Sequence, residues 1–148
     1  MNDWRCYRAV LGSNAYRASV RLRERILREP QGLTFMPGEL QSEVDSMHLV
    51  CEKDGRVVAC ALLKPLNESS VRLRQMAVEE SSQGLGVGRE LISFAEKLAR
   101  DAGFAEIVMH ARTRAQGFYE RLGYHAEGDE FETVGLPHRI MRKQLGNL

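Results

Sequence analysis

A glycine-rich segment, Gln83-Gly84-Leu85-Gly86-Val87-Gly88, has the residue types and spacing best suited to chemistry in this 148-residue chain. It follows an apolar stretch over 71–78 and precedes an amphipathic pattern over 89–102, so the order predicts strand, turn and helix. Glycines allow backbone N–H groups to approach a ligand closely, and the first N–H groups of a helix have no partner inside it. The loop therefore predicts an anion site that suits a pyrophosphate. The alternative is a tight turn whose glycines only satisfy backbone geometry.

Two common nucleotide-binding motifs do not fit this loop. A dinucleotide fingerprint, G-x-G-x-x-G, would use Gly86 and Gly88 but finds Leu91 in its third glycine position. A P-loop requires Gly-Lys-Ser/Thr, whereas Gly88 is followed by Arg89. The remaining pattern is Gln-x-x-Gly-x-Gly after a strand. Gln83 could donate to a phosphate or cap the helix, and Arg89 could pair with a phosphate or be solvated.

The elements that must position this loop alternate along the chain. The first half predicts a strand over 6–11, a helix over 14–28 ended by Pro30 and Gly32, a loop over 33–45, and a hairpin of strands 47–53 and 56–64 around Asp54-Gly55. The second half predicts a strand over 71–78, a helix over 85–102 capped by Gly103, a strand over 105–111, a helix opened by a Thr113–Gln116 capping box, and strands 124–132 and 138–143. The pattern indicates one mixed α/β domain over residues 1–148.

A second motif follows the predicted fifth strand: Phe118-Tyr119-Glu120-Arg121-Leu122-Gly123-Tyr124, with Ala115 before it. Together with the Gln-x-x-Gly-x-Gly loop, and with Met76-Ala77-Val78 ahead of that loop, it resembles the GNAT superfamily of N-acetyltransferases. The two motifs occur in the order of that superfamily, separated by helix, strand and helix. The tail Gly135-Leu136-Pro137-His138 is similar to a Gly-Ile-Pro-His segment in a subset of small bacterial GNAT proteins.

The resemblance implies a GNAT-like fold: a mostly antiparallel sheet of six or seven strands with flanking helices. Its two central parallel strands, 71–78 and 105–111 here, splay apart to admit coenzyme A. Acetyl-coenzyme A is then the cosubstrate, with no metal. The resemblance also implies that backbone groups of Met76, Ala77 and Val78 bind the pantetheine amides, and that the pyrophosphate lies at Gln83, Gly84, Leu85, Gly86, Val87, Gly88 and Arg89.

The implied reaction is direct transfer of the acetyl group to an amine, and family analogy makes Tyr119 the donor to the departing thiolate. An unperturbed phenol has a pKa of about 10 and a thiol about 8.5, so proton donation is reasonable. The alternative is that Tyr119 only packs in the core. Tyr124 is less suited, because it begins the strand after Gly123.

The chain departs from the family pattern where a general base is often found. Arg72, Leu73 and Arg74 occupy the positions near which many GNAT enzymes carry a Glu, and Arg112 stands where many carry an Asn. The base is therefore unassigned, and a water chain is one alternative.

Three histidines are candidates for this role because histidine titrates near neutrality: His48, His110 and His138. Each also has a structural or surface interpretation. His138 ranks first, since it opens the last strand beside a turn that could border the acceptor pocket, and it is the candidate substrate-binding residue.

The acceptor is expected to be a small-molecule or peptide amine, bound between the loop over 30–46 and the segment over 129–138. Both carry acidic side chains that could attract a cationic amine or simply be solvated. They are Glu39, Glu43, Asp45, Asp129, Glu130 and Glu132.

Composition narrows the remaining functions. The net charge is +1, from 21 Lys and Arg against 20 Asp and Glu, which argues against nucleic-acid binding. The longest apolar run, 57–63, is far short of the ~20 residues that cross a bilayer. The three cysteines are odd in number and without a C-x-x-C, so neither a disulfide framework nor a zinc site is expected. We expect a cytoplasmic monomer or homodimer.

The sequence thus predicts an acetyl-coenzyme A-dependent N-acetyltransferase. Two alternatives stay open. One is a coenzyme A-binding sensor or regulator with weak catalysis, and the other is an acyltransferase that uses a different acyl-coenzyme A.

Overall fold

Over residues 3–146, the part of the chain that this computed structural model describes, a seven-stranded sheet carries helices on both faces. The strand order is β1-β2-β3-β4-β5-β7-β6. The strands are β1 Arg5–Arg8, β2 Met47–Lys53, β3 Arg56–Pro65, β4 Ser70–Val78, β5 Glu106–Arg112, β6 His125–Thr133 and β7 Leu136–Gln144. The helices are α1 Asn14–Arg23, α2 Val87–Asp101 and α3 Gln116–Arg121.

Alternating strand residues separate two hydrophobic cores, because successive side chains of a strand point to opposite faces. On β2, Leu49 and Cys51 belong to the larger core, which the apolar stripe of α2 covers. Val50 lies between them in sequence and belongs to the smaller core, which includes Leu22 of α1. The helix predicted over 85–102 is therefore present with its apolar face buried.

The two central strands separate part-way along their length. β4 runs parallel to β5 and pairs with it only from Ser70–Leu73 to Glu106–Met109. Beyond that point β4 stays paired with β3 as far as Val78, and β5 stays paired with β7 as far as Arg112. The predicted fold and the predicted splay of the central strands are confirmed.

A bulge in β4 accompanies the separation. Between Cys60 and Leu62 of β3 the register shifts, so that β4 carries one extra residue between Arg74 and Ala77. Gln75 takes up the left-handed conformation, φ 56°, that such an insertion uses. Its side-chain oxygen accepts a hydrogen bond from Arg28 Nη2 at 3.3 Å.

Several predicted boundaries were wrong. The first strand ends at Arg8 rather than at Leu11, and the helix predicted over 14–28 is α-helical only to Arg23, after which 24–28 form a π-helical turn. The predicted capping box is absent, because Thr113 sits inside a short 3-10 turn and its hydroxyl donates to Glu130 at 3.0 Å.

The expectation of no disulfide was also wrong. Cys6 and Cys51 are bonded across the antiparallel pair of β1 and β2, where they are direct register partners. Because 45 residues separate the two cysteines, the sequence alone does not show that they are neighbours. Cys60 is a buried free thiol, and burial raises its pKa to about 12.

A buried ion pair fixes the loop between α1 and β2. Arg23 Nη1 and Nη2 donate to the two carboxylate oxygens of Glu43 at 2.9 and 2.7 Å, and both side chains are almost fully buried. The Glu43 carbonyl also lies 3.0 Å from His48 Nε2. Arg23 and Arg28 both stack on the ring of Phe35, with guanidinium carbons 5.0 and 4.6 Å from its centroid. Arg23 and Arg28, both within the segment predicted as a helix over 14–28, therefore have structural roles.

Glu43→Gln should destabilise the fold strongly, because it leaves the Arg23 guanidinium buried without a counter-charge. We expect a loss of about 3 kcal/mol in the free energy of unfolding, measured by urea denaturation. Asp101→Asn, which breaks the exposed Lys97–Asp101 pair of α2, is the matched control and should cost less than about 0.5 kcal/mol. Equal effects of the two substitutions would contradict a structural role for the buried pair.

Candidate active site

A cleft of about 1480 Å³ opens where β4 and β5 part. Its walls come from both strands, from α3, from β7 and from the loop that follows α1. Of the predicted site residues, Met76, Val78, Gln83, Tyr119 and His138 line it. Ala77 instead points its side chain into the smaller core.

The glycine-rich loop connects β4 to α2 in the predicted manner. Gly84 and Gly86 have φ values of 78° and 99°, conformations that side chains rarely adopt. Gly86 is the N-cap of α2, without a capping side chain, and its carbonyl accepts the Glu90 N–H at 3.1 Å. The N–H groups of residues 87–89 therefore have no carbonyl acceptor within the helix. The loop supplies the positive end of a helix beside the cleft.

Gly88 lies next to two side chains that line the cleft. A Cβ at this position would come within 3.2 Å of Met76 Cε and 3.6 Å of Phe118 Cζ. The first turn of α2 can lie this close to the two side chains because Gly88 has none.

Of the two predicted purposes of Gln83, capping of α2 is not seen, because the N-cap residue is Gly86 and no side chain within residues 3–146 caps that helix. The Gln83 amide Nε2 donates to the Val78 carbonyl at 3.0 Å. It thereby satisfies a carbonyl at the end of β4, where pairing with β5 has already ceased. Arg89 is exposed in the first turn of α2.

Tyr119 places its hydroxyl inside the cleft. The hydroxyl lies 3.5 Å from Met76 Sδ, and its ring packs edge-on against Phe118 and Tyr124. Burial raises the pKa of Tyr119 to about 12. The phenol therefore keeps its proton at neutral pH.

Tyr124 has a different environment from Tyr119. It is fully buried just before β6, and its hydroxyl donates to Glu96 of α2 at 3.0 Å. Lys143 Nζ bonds the other Glu96 oxygen at 2.9 Å and the Leu122 carbonyl at 2.8 Å. Burial and the Glu96 charge raise the pKa of Tyr124. This tyrosine ties α2 to β7 and does not line the cleft.

Residues 32–145 match the family model described as an acetyltransferase (GNAT) domain. The chain belongs to the GNAT acetyltransferases. The uncharacterised N-acetyltransferase YitI of Bacillus subtilis (strain 168) is 30% identical over 131 residues, covering 84% of this chain and 88% of that protein.

Solved GNAT-like structures agree with the fold. A Lactobacillus plantarum protein assigned as an N-acetyltransferase is 25% identical, with a TM-score of 0.85 over 97% of this chain and 99% of its own. A GNAT family acetyltransferase from Elizabethkingia anophelis, solved with acetyl-coenzyme A bound, has a TM-score of 0.75 at 12% identity, over 98% of this chain and 100% of its own. This GNAT protein is accordingly an acyltransferase. Within residues 3–146, no helix is both long and apolar enough to cross a membrane.

The three candidate histidines occupy unlike sites in this GNAT fold. His138 is the third residue of β7 rather than its first. It is buried, with Nδ1 2.8 Å from the Leu136 carbonyl and its ring stacked on Phe131. His110 of β5 contacts Arg72 Nη2 through Nδ1 at 3.0 Å. Partial burial and the charge of Arg72 lower the pKa of His110. His48 lies outside the cleft lining, under α1.

The sequence analysis noted three arginines of the GNAT cleft only as departures from the family pattern and assigned none of them to a binding site. Arg72 and Arg74 of β4 and Arg112 of β5 line the cleft, as does Arg114 after β5. Their sequence signal is the alternation of Arg72 and Arg74 around the buried Leu73, which places both on the face opposite α2.

The predicted acidic residues do not make the cleft negative. Glu39 lines it but is paired with Arg28, which lowers the pKa of Glu39. Glu43 is buried with Arg23. The others are exposed and lie outside the cleft lining, so the solvated interpretation describes them: Asp45, Asp129, Glu130 and Glu132.

Proposed function

We propose that this protein transfers an acetyl group from acetyl-coenzyme A to the nitrogen of an amine acceptor. The observation that carries the proposal is the cleft between the parted strands, with the glycine-rich loop beside it and the Tyr119 hydroxyl inside. The proposal treats residues 1–148 as one acetyltransferase domain.

The chain's own residues fit such a donor. The free N–H groups at the start of α2 suit a pyrophosphate, and the unpaired edge of β4 beyond Leu73 suits the amides of a pantetheine arm. Met76, Ala77 and Val78 supply that edge. The Gln83 amide already bonds the Val78 carbonyl, so an incoming amide can replace it, use the second lone pair of that oxygen or bond the neighbouring groups.

Transfer to an amine requires a neutral nitrogen and a stabilised leaving sulfur. A primary alkyl amine has a pKa of about 10.4 and must lose a proton before attack. Backbone N–H groups along the free edge of β4 can stabilise the charge that develops on the carbonyl oxygen. Tyr119 keeps its proton at neutral pH, so its O–H can donate a hydrogen bond that stabilises the departing sulfur. Its present contact with Met76 Sδ is a hydroxyl-to-sulfur contact of the same kind.

Donor recognition is tested by thermal denaturation with acetyl-coenzyme A, coenzyme A and ATP in parallel. A ligand at about 100 times its Kd adds about 2.7 kcal/mol to stability, enough to raise the Tm by several degrees. We expect both coenzyme A species to raise the Tm and ATP not to. Competition with succinyl- and propionyl-coenzyme A then separates the acetyl donor from other acyl donors. Binding without any acetylated product would favour the sensor alternative.

Tyr119→Phe should lower kcat at least about tenfold while leaving the Kd for coenzyme A within about twofold, because it removes only the hydrogen-bond donor. The measurement is the rate of thiol release together with calorimetric binding of coenzyme A.

Tyr124→Phe is the matched control, since it removes a phenol hydroxyl that lies outside the cleft. It should keep kcat and lower the free energy of unfolding by about 1–3 kcal/mol through loss of the bond to Glu96. Unchanged turnover in Tyr119→Phe would assign stabilisation of the departing sulfur to water or another group.

Gly86→Ala should weaken coenzyme A binding about tenfold or more, because a side chain at φ 99° costs about 1–3 kcal/mol or shifts the loop. Leu85→Ala is the control from the same loop. Its side chain is 60% exposed, so we expect little change in stability or affinity. Equal coenzyme A affinity in both variants would remove this loop from the pyrophosphate site.

A further inference from the structure

The cleft carries an excess of positive charge that the protein leaves uncompensated. Among the described residues that line it are six arginines and two glutamates. The glutamates are already paired, Glu39 with Arg28 and Glu80 with Arg25. The other four arginines form no ion pair within residues 3–146: Arg72, Arg74, Arg112 and Arg114.

Three of these arginines lie on one face of the sheet around the point where the strands part: Arg72 is opposite Val108 in the paired region, and Arg74 and Arg112 lie beyond it. Arg72 and Arg74 alternate with Leu73 on β4, and Arg112 alternates with Ala111 on β5, so all three lie on the face opposite α2. Arg112 is also the register partner of His138 on β7. The parting of β4 and β5 thus leaves a gap with a guanidinium on each side.

Two pairs of these arginines repel each other, Arg72 with Arg74 on β4, and Arg112 at the end of β5 with Arg114 just after it. Within residues 3–146, Arg72 Nε is buried without a hydrogen-bond partner, and its Nη2 lies 3.0 Å from Nδ1 of the His110 ring. Burial and the charge of Arg74 lower the pKa of Arg72, and burial and Arg114 lower the pKa of Arg112. In the amide orientation that satisfies its hydrogen bonds, the Gln31 side-chain oxygen accepts from Arg112 Nη2 at 3.0 Å. Arg112 therefore has a neutral acceptor rather than a counter-charge. An anion between the strands would offset the repulsion between the arginines and accept a hydrogen bond from Arg72 Nε.

The donor's pyrophosphate is not the anion that this position suits. Arg72 lies six residues before Val78 on β4, which is roughly 20 Å of strand from the end that leads to the glycine-rich loop. The arginines instead face the acceptor side, where His138 and the loop after α1 complete the wall.

Building on the acetyltransferase function proposed above, we propose that the acceptor is an amine that also carries an oxyanion, a carboxylate or a phosphate, which Arg72, Arg74 and Arg112 bind. A polyamine or another acceptor that is only cationic does not fit this wall, because it would meet like charges. The guanidinium fork suits either oxyanion, so the two sources are separated by experiment.

The test uses matched pairs of amines that differ in the anion alone. One pair is glutamate and its bis-amide, the second is glucosamine 6-phosphate and glucosamine, and spermidine serves as a cationic comparator. Acetyl transfer is followed by mass spectrometry, and binding to the coenzyme A-saturated protein by calorimetry. We expect the anionic member of at least one pair to be preferred about tenfold or more, and the pair that shows it identifies carboxylate or phosphate.

The preferred anionic probe is then tested against variants. Arg72→Gln and Arg112→Gln should each weaken its binding about tenfold to hundredfold, as expected for a lost charge-assisted hydrogen bond. Lys97→Gln, which removes one exposed positive charge from α2, is the matched control and should leave binding unchanged. The KM for acetyl-coenzyme A should stay within about twofold in all three, with a Tm near that of the wild type confirming the fold.

The outcomes separate this inference from the function on which it rests. Equal use of both members of every pair, or a preference for spermidine, overturns the anionic acceptor and leaves the acetyltransferase in place. A raised KM for acetyl-coenzyme A with unchanged probe binding would place the arginines at the donor and also overturn it. If the anionic and neutral probes bind the coenzyme A-saturated protein equally, the anionic acceptor is overturned even where no transfer is seen. Failure of acetyl-coenzyme A itself to bind would instead contradict the proposed function.

Discussion

The loss of hydrogen bonding between β4 and β5 after Leu73 and Met109 is the constraint on which the rest of the structure depends. Each strand keeps a full partner on its other side, β3 for β4 and β7 for β5, so the two halves of the sheet stay ordered as they diverge. The extra residue at Gln75 lets β4 bend without losing β3. Backbone N–H and C=O groups that would be hydrogen-bonded in a continuous sheet therefore face a cleft, where the amides of a ligand can bond them.

Elements that do not touch the cleft maintain this opening. The Tyr124–Glu96–Lys143 cluster ties α2 to β7 below the larger core, and the Arg23–Glu43 pair anchors the loop after α1. In both clusters the opposite charges are paired, which adds rigidity, although Arg23 Nε has no hydrogen-bond partner within residues 3–146. These contacts hold α2, which follows the glycine-rich loop, and the loop after α1, which lines the cleft, against the rest of the fold.

Much of this could be predicted from the sequence because local signals and the tertiary structure agree. The Asp54-Gly55 hairpin, the glycine-rich turn before α2 and the order of strands all follow from turn residues and periodicity. The Cys6–Cys51 bond could not be predicted, since only the register of β1 against β2 makes those residues neighbours. The Thr113–Gln116 capping box failed because a tertiary partner, Glu130, takes the hydroxyl. The burial of Arg23 was hidden for the same reason, as its partner lies 20 residues away.

The same arginines account both for the departure from the family pattern and for the positive charge of the cleft. Arg72, Arg74 and Arg112 stand near the positions where a carboxylate or an amide is often found in GNAT enzymes, and they remove the nearest candidates for a general base. The same arginines also make it easier for an ammonium group to lose its proton, which lessens the need for a general base. A positive environment disfavours a second positive charge, so an ammonium that enters this cleft loses its proton more readily than in water. His110 responds in the same direction, with a pKa lowered by burial and by Arg72. Under the function proposed above, the arginines would therefore favour the neutral amine, and water could carry the proton away.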